Sequence, residues 1–222
     1  MKFNEIPKFV VNLETRPDNL ELIKKEMDYM GWEFEKFNAV NRNSYMGCTL
    51  SHLEIIKIAK ERGYDRVMVI EDDCVFMPYA KSLLDDIEKQ IEGIEFGVFN
   101  ITPTLNRKVN VSDKYDLLLD ITNLPPKEEH HSEIFATNIL IYDKSVYDEM
   151  FNIALTLENN TAMKEITSAL KIFIENIEHI KCTGIHINTG VIIYENLKNN
   201  KLILKNKIEN HKIFNLIENH FK

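Results

Sequence analysis

Two hydrophobic periods alternate along the first hundred residues. The compact apolar run KFVVNL (8–13) has the length and β-branched content of a short buried strand. In the segment that follows it, TRPDNLELIKKEMDYMG, residues Leu20, Ile23, Met27 and Met30 recur at helical spacing. Pro17 is placed for a first helical turn and Gly31 for the C-terminal stop. WEFEKFNAV (32–40) switches to apolar–polar alternation and predicts a second strand. The helical period returns over 47–63, where Leu53, Ile56 and Ala59 share a face and Gly63 ends the pattern. RVMVI is then a fully buried strand, YAKSLLDDIEKQIEG a helix with Leu83, Ile87 and Ile91 aligned, and FGVFNI another strand. Strand–helix–strand at this length implies parallel pairing through a right-handed crossover.

After Thr102 the pattern breaks. Residues 102–133 hold one strand-like run, YDLLLDI, among Pro, Asn and charged residues, and so long a stretch in a compact domain is commonly functional. IFATNILIY (134–142) predicts a strand, helices are expected near 144–157 and 161–180, and TGIHINTGVIIY reads as one strand or a pair. The tail KIENHKIFNLIENHF is an amphipathic helix. The fold class expected is α/β, a Rossmann-like mixed but mainly parallel sheet flanked by helices. A single domain over 1–222 is expected, with a half about 1–101 and a half about 102–222.

In such a sheet ligands gather at the carboxyl ends of the strands. NLETR follows the first strand, NAVNRN the second, and Glu71-Asp72-Asp73 the third. Three adjacent carboxylates repel one another unless a cation sits among them, and a hard divalent ion with oxygen ligands suits them. The alternative is a solvated strand end whose acids cap the next helix. Strand alternation puts Glu71 and Asp73 on one face, as an E-x-D pair facing a ligand, and turns Asp72 to the other, where it orients its neighbours. Arg16 directly follows the first strand and offers a planar fork to phosphate or carboxylate, or is a surface arginine beside a proline-started helix. Ser51 and Glu54 have capping-box spacing, which predicts a helix start there, His52 in the first turn near free N–H groups, and Gly47 in a tight turn. His130 and His131 are adjacent and face opposite sides of an extended segment, so they do not share a metal. His186 alternates with Ile185 and Ile187 and is either a third metal ligand or a structural histidine.

Composition narrows the class. The chain has 222 residues, 44% hydrophobic and 28% charged, a globular balance that excludes disorder. A net charge of −8 excludes nonspecific binding to nucleic acid or to anionic membrane. No stretch approaches the ~20 apolar residues of a membrane helix, and MKFNEIPKFVVNLETRP lacks the apolar core of a signal peptide. Cys48, Cys74 and Cys182 are odd in number without C-x-x-C spacing, so reduced thiols in a cytoplasmic protein are expected.

FVVNLETRPDNLE, then FNAVN, then MGCTLSHLEIIKIAKERGYDRVMVIEDDCVF together resemble glycosyltransferase family 25, which includes lipopolysaccharide-biosynthesis glycosyltransferases and procollagen galactosyltransferases. The resemblance covers residues 8–78, and its most specific part is the G-C-x-x-S-H helix followed by an apolar strand and E-D-D. IFATNILIYDKSVYDEMF is similar to a later strand-and-helix step of the family, whereas MKEITSAL and IHINTGVI match the subsequent elements only loosely. The resemblance implies a GT-A fold and transfer of a sugar, galactose among the candidates, from a nucleotide-diphosphate donor, with a UDP-sugar expected first. The acceptor would be a hydroxyl of a glycan, lipopolysaccharide or protein, and the transfer inverting. The Asp-x-Asp-like element is Glu71-Asp72-Asp73, with Glu71 and Asp73 on Mn²⁺ or Mg²⁺ and Asp72 and Asp73 assigned to catalysis. Donor binding is expected from Asn12, Glu14, Arg16, Asn41, Gly47, Ser51 and His52. Glu133, Asp120 and Glu165 are the candidates for a base, and His186 completes the second-half set. The alternatives are a nucleotide-sugar-binding relative without turnover and a Mg²⁺-dependent phosphohydrolase, for which EDDCV lacks the first aspartate and the threonine.

Overall fold

The computed structural model describes residues 1–42, 44–76, 78, 80–101, 104–105, 118–120, 134–135, 138–151, 182–185 and 192–194. The strands in chain order are β1 (Lys8–Asn12), β2 (Glu35–Asn38), β3 (Arg66–Glu71), β4 (Cys74–Phe76), β5 (Val98–Asn100), β6 (Thr104–Leu105), β7 (Leu118–Asp120), β8 (Ile134–Phe135), β9 (Ile139–Asp143), β10 (Cys182–Ile185) and β11 (Ile192–Tyr194). The helices are α1 (Pro17–Met30), α2 (Ser44–Glu61) and α3 (Ala80–Gln90). Seven strands form one sheet in the order β2-β1-β3-β9-β5-β10-β7. β1 pairs in parallel with β2 and β3, and β10 with β5. β9 lies antiparallel between β3 and β5, and β7 antiparallel to β10, so five strands share one direction. β4 pairs with β11, and β6 with β8, in two small ribbons. This is the α/β architecture with a mainly parallel, helix-flanked sheet that the periodicity predicted.

Side-chain alternation divides the core into two layers. Val10, Met68, Ile70, Phe99, Ile139 and Ile141 face α1 and α3, packing on Ile23, Met27, Leu83 and Ile87. Phe9, Val11, Val67, Val69, Leu140 and Tyr142 face α2, packing on Leu53, Ile56 and Ala59. A sheet covered on both sides needs near-continuous apolar strands, which is why Val67–Ile70 carry no polar residue between Arg66 and Glu71. The α1 boundaries are those the sequence signals: Pro17 in the first turn, and Gly31 at φ 71° with its N–H on the Asp28 carbonyl at 3.1 Å.

Three expectations change. The 134–142 run is not one strand but two, β8 and β9, paired in different sheets. The second strand shrinks to Glu35–Asn38, an exposed edge strand. Of the two readings of TGIHINTGVIIY the structure has the pair, β10 and β11, in two sheets. The helix expected from 47 begins at Ser44. Beyond Phe151 the expected helices over 161–180 and in the tail lie outside the described residues, as do Glu133, Glu165, His130, His131 and His186. Among the described residues no helix is long and apolar enough to cross a membrane.

Candidate functional site

The carboxyl ends of β1 and β3, the chain after β2 and the first turns of α2 enclose a cleft of about 220 Å³. Its lining includes Arg16, Arg42, Cys48, Glu71, Asp72 and Asp73. All three acids reach it, but they enter in different states, and the parity of β3 explains why. Val67 and Val69 face α2, and Glu71 continues that series; Met68 and Ile70 face α1, and Asp72 continues theirs.

Asp72 is buried and fully engaged. Its Oδ2 accepts from Asn12 Nδ2 at 2.6 Å, and its Oδ1 accepts from Asn19 Nδ2 at 3.2 Å. The Arg16 guanidinium stands 3.3 Å from the same Oδ1. Asn12 also donates to the Arg16 carbonyl at 2.9 Å, so one amide ties the end of β1 to the start of α1 and both to Asp72. Asp72 thus touches Arg16 and the β1–α1 corner while also lining the cleft, an arrangement compatible with the orienting role expected from strand alternation.

On the other face the bonding is incomplete. Glu71 Oε1 accepts from the Cys48 thiol at 3.3 Å, and its Oε2 from Asn138 Nδ2 at 3.2 Å. Asn138 also hydrogen-bonds the Asp73 carboxylate. Asp73 Oδ1, however, is buried with no hydrogen-bond partner among the described residues. Burial first, and then the neighbouring charge of Asp72, hold the Asp73 carboxyl above its ordinary range, with Arg16 and Asn138 pulling the other way. A buried carboxylate oxygen without a donor is costly, and a hard cation would relieve it. Asp73, whose Oδ1 lacks a partner among the described residues, thus fits the divalent ion the sequence suggested, with Glu71 beside it, whereas Asp72 is held by Asn12, Asn19 and Arg16.

The remaining sequence candidates are partly displaced. Because α2 starts at Ser44, Ser51 and His52 sit two turns inside the helix rather than at its N-terminus. Ser51 Oγ donates to the Gly47 carbonyl at 2.7 Å and accepts from Val40 N–H at 2.9 Å, so it is no capping box. His52 is buried, its Nδ1 2.9 Å from the Tyr142 hydroxyl, and burial pushes it down to about 4, hence neutral. It is not among the cleft-lining residues. Gly47 lies in the helix rather than in a turn; a Cβ there would stand 2.5 Å from the Val40 carbonyl oxygen, so its absence lets the post-β2 chain close over α2. Glu14 is exposed and accepts from Asn38 Nδ2 at 2.9 Å, and neither it nor exposed Asn41 lines the cleft. Asp120 lies in β7. Sequence reasoning missed Asn19, Arg42, Cys48 and Asn138. Asn19 follows Arg16 by one helical turn, a signal that was available; Asn138 has none, because its place depends on the direction of β9.

With this geometry in view, the comparisons are specific. The sequence profile of glycosyltransferase family 25 (LPS biosynthesis protein) matches residues 43–221. No curated protein sequence matches. Among solved structures, the chain is similar to a glycosyltransferase involved in glycosylation of the major capsid of PBCV-1, at TM-score 0.49 and 11% identity, covering 78% of this chain and 76% of that one. It is similar to the glycosyltransferase GlyE of Streptococcus pneumoniae TIGR4, at TM-score 0.46 and 9% identity, over 83% of this chain and 46% of that one. It is also similar to mannose-1-phosphate geranyltransferase from Thermus thermophilus, at TM-score 0.44 and 12% identity, over 87% and 76%. The profile match spans well over half of the sequence, through α2, the strand that follows it and the three acids: the chain belongs to glycosyltransferase family 25, is a glycosyltransferase, and uses a nucleotide-sugar donor and an acceptor.

Proposed function

We propose that this glycosyltransferase is metal-dependent, taking a sugar from a UDP-sugar, galactose foremost, and transferring it with inversion to a hydroxyl of a glycan, lipopolysaccharide or protein. The observation that carries the metal dependence is the buried, unpartnered Asp73 Oδ1 beside Glu71 in a cleft at the strand ends. Glu71 and Asp73 would hold Mn²⁺ or Mg²⁺. Bound there, such an ion stabilises the charge that develops on the leaving nucleoside diphosphate. Arg16, kept in place by Asp72, and Arg42 supply positive charge to the same cleft without themselves needing a metal. At about 220 Å³ the cleft is smaller than the ~300–1,000 Å³ of a typical small-molecule site, and suits a diphosphate with its ion rather than a whole donor.

On this reading one domain carries both halves, 1–101 for the nucleotide sugar and 102–222 for the acceptor, with the base among Glu133, Asp120 and Glu165. A cytoplasmic setting is supported by the odd number of cysteines without C-x-x-C spacing. Calorimetric titration of UDP in Mn²⁺ and in excess chelator tests the metal dependence. Binding should be present in Mn²⁺ and lost in chelator; equal affinity in both would overturn it. Nucleotide at a hundred times its dissociation constant should also add about 2.7 kcal/mol of stability, and only with the ion.

A further inference from the structure

α2 carries a second set of ligand atoms that the hard-ion reading leaves unused. Cys48 and His52 are one helical turn apart, so their side chains emerge on the same face of α2 toward the end of β3. A ring nitrogen of His52, Cys48 Sγ and a carboxylate oxygen of Glu71 all lie within 4.8 Å of one another. The His52 Nδ1 is engaged with the Tyr142 hydroxyl, while Nε2 is buried with no hydrogen-bond partner among the described residues. His52 is 1% exposed, so water does not supply that partner from bulk. A neutral imidazole fixed through one nitrogen and free at the other is the state in which histidine ligates a metal.

We infer that Cys48, His52 and Glu71 form a binding site for one borderline-soft divalent ion of the Zn²⁺ type, distinct from the hard-ion position at Asp73 and sharing Glu71 with it. A tetrahedral ion with bonds of 2.0–2.3 Å sets its ligands about 3.3–3.8 Å apart. The Cys48 Sγ–Glu71 Oε1 separation, 3.3 Å, already fits that edge, and the rest closes with small rotamer changes. The thiol proton now donated to Glu71 is released to solvent, and the ion takes its place between sulfur and carboxylate. Thiolate and imidazole select such an ion over Mn²⁺ or Mg²⁺, which prefer oxygen ligands. Cys48 and Glu71 both line the cleft, so a fourth position opens to water there. The Tyr142 hydroxyl acts through His52, holding the ring that presents Nε2.

Co²⁺ titration of the full chain reads this directly, because thiolate ligation gives a charge-transfer absorption in the near ultraviolet that Zn²⁺ then displaces. One equivalent should bind the wild type with that band. Cys48→Ser should abolish the band, Tyr142→Phe should weaken binding about 10–100-fold, and Asp73→Asn should leave the band in place. Wild-type protein gives a reading that does not depend on any variant folding: Zn²⁺ should protect Cys48 from alkylation and Mn²⁺ should not. Absence of the band, its survival in Cys48→Ser, its loss in Asp73→Asn, or equal protection by Mn²⁺ would each overturn the assignment. Failure of Mn²⁺-dependent UDP binding would leave these readouts untouched, so the two readings fail separately.

Discussion

On the α1 side of β3, both oxygens of Asp72 are engaged, by Asn12, Asn19 and Arg16. On the α2 side, Asp73 Oδ1 and His52 Nε2 are buried atoms with no partner among the described residues. The two sides are built from adjacent residues and differ by a single step of strand parity. The Asp72 carboxylate ties a corner of the fold together, although Asn12 Oδ1 in that corner is also buried without a partner among the described residues; an unsatisfied carboxylate oxygen is a cost that a ligand can remove. One acidic tripeptide therefore differs along its length: Asp72 is tied to the β1–α1 corner, Glu71 to Cys48 and Asn138, and Asp73 keeps one buried oxygen without a partner among the described residues.

The sharpest way to break this comparison is to exchange the two kinds of damage. Asp73→Asn removes charge from the unsatisfied side, and transfer should fall by about 10³-fold, the loss of roughly 4 kcal/mol of transition-state stabilisation. In chelator the same variant should melt at or above the wild-type temperature, since a buried repulsive charge is gone. Full turnover by Asp73→Asn would show that the unsatisfied oxygen has no part in the reaction. Asp72→Ala should do the opposite and cost about 3 kcal/mol of stability, because Arg16, Asn12 and Asn19 lose their shared acceptor. Denaturant unfolding measures it, and a change under about 1 kcal/mol would remove Asp72 from the architecture.

Lys8, at the other end of β1, separates general burial from cleft electrostatics. Burial pushes its ammonium down to about 8, even though Nζ donates to the Asn4 and Ile6 carbonyls at 3.1 and 2.8 Å. Between pH about 8 and about 10.5 the unfolded chain holds a proton that the folded one has released, so stability should rise with pH across that window. The total is about 3 kcal/mol at most, absent below it and fully gained above it. Lys8→Met should flatten the difference without touching UDP affinity; an unchanged slope would place the titration elsewhere. The smallest effect is expected from Gly47→Ala. Helix propensity favours alanine by about 1 kcal/mol, but the Cβ meets the Val40 oxygen at 2.5 Å and displaces the cleft wall. A net loss near about 1 kcal/mol should accompany weaker UDP binding; stabilisation would mean the wall yields freely.

The first half of the fold was legible because its elements are amphipathic with clear periods, from KFVVN through α3. Burial on two faces left residues 67–70 without a polar side chain, which made the acids after them conspicuous. Parity alone separated Asp72 from Glu71 and Asp73. What escaped has physical causes. An apolar run such as ILIY carries no direction, so the reversed insertion of β9, and with it Asn138, could not be read. Gly47 looked like punctuation, yet a glycine inside a helix is tolerated where backbone must come close. S-x-x-E at 51–54 has the same spacing inside a helix as at its start. Cys48 and His52 were visible at i, i+4, but a search for C-x-x-C passes over a ligand pair that mixes residue types.

The reversal of β9 also fixes where the chain leaves and rejoins the sheet. β5 ends at Asn100 opposite Leu140, and Ile101 N–H reaches the Ile139 carbonyl at 3.1 Å, so the chain leaves β5 and enters β9 at one rim, the rim that holds Asn138 and Glu71. Lengthening a connection between neighbouring strand ends is cheap: doubling a loop adds only about 0.6 kcal/mol of closure entropy, and the register of β5 and β9 need not change. A rim built in this way tolerates insertion beside the strand-end carboxylates without moving them.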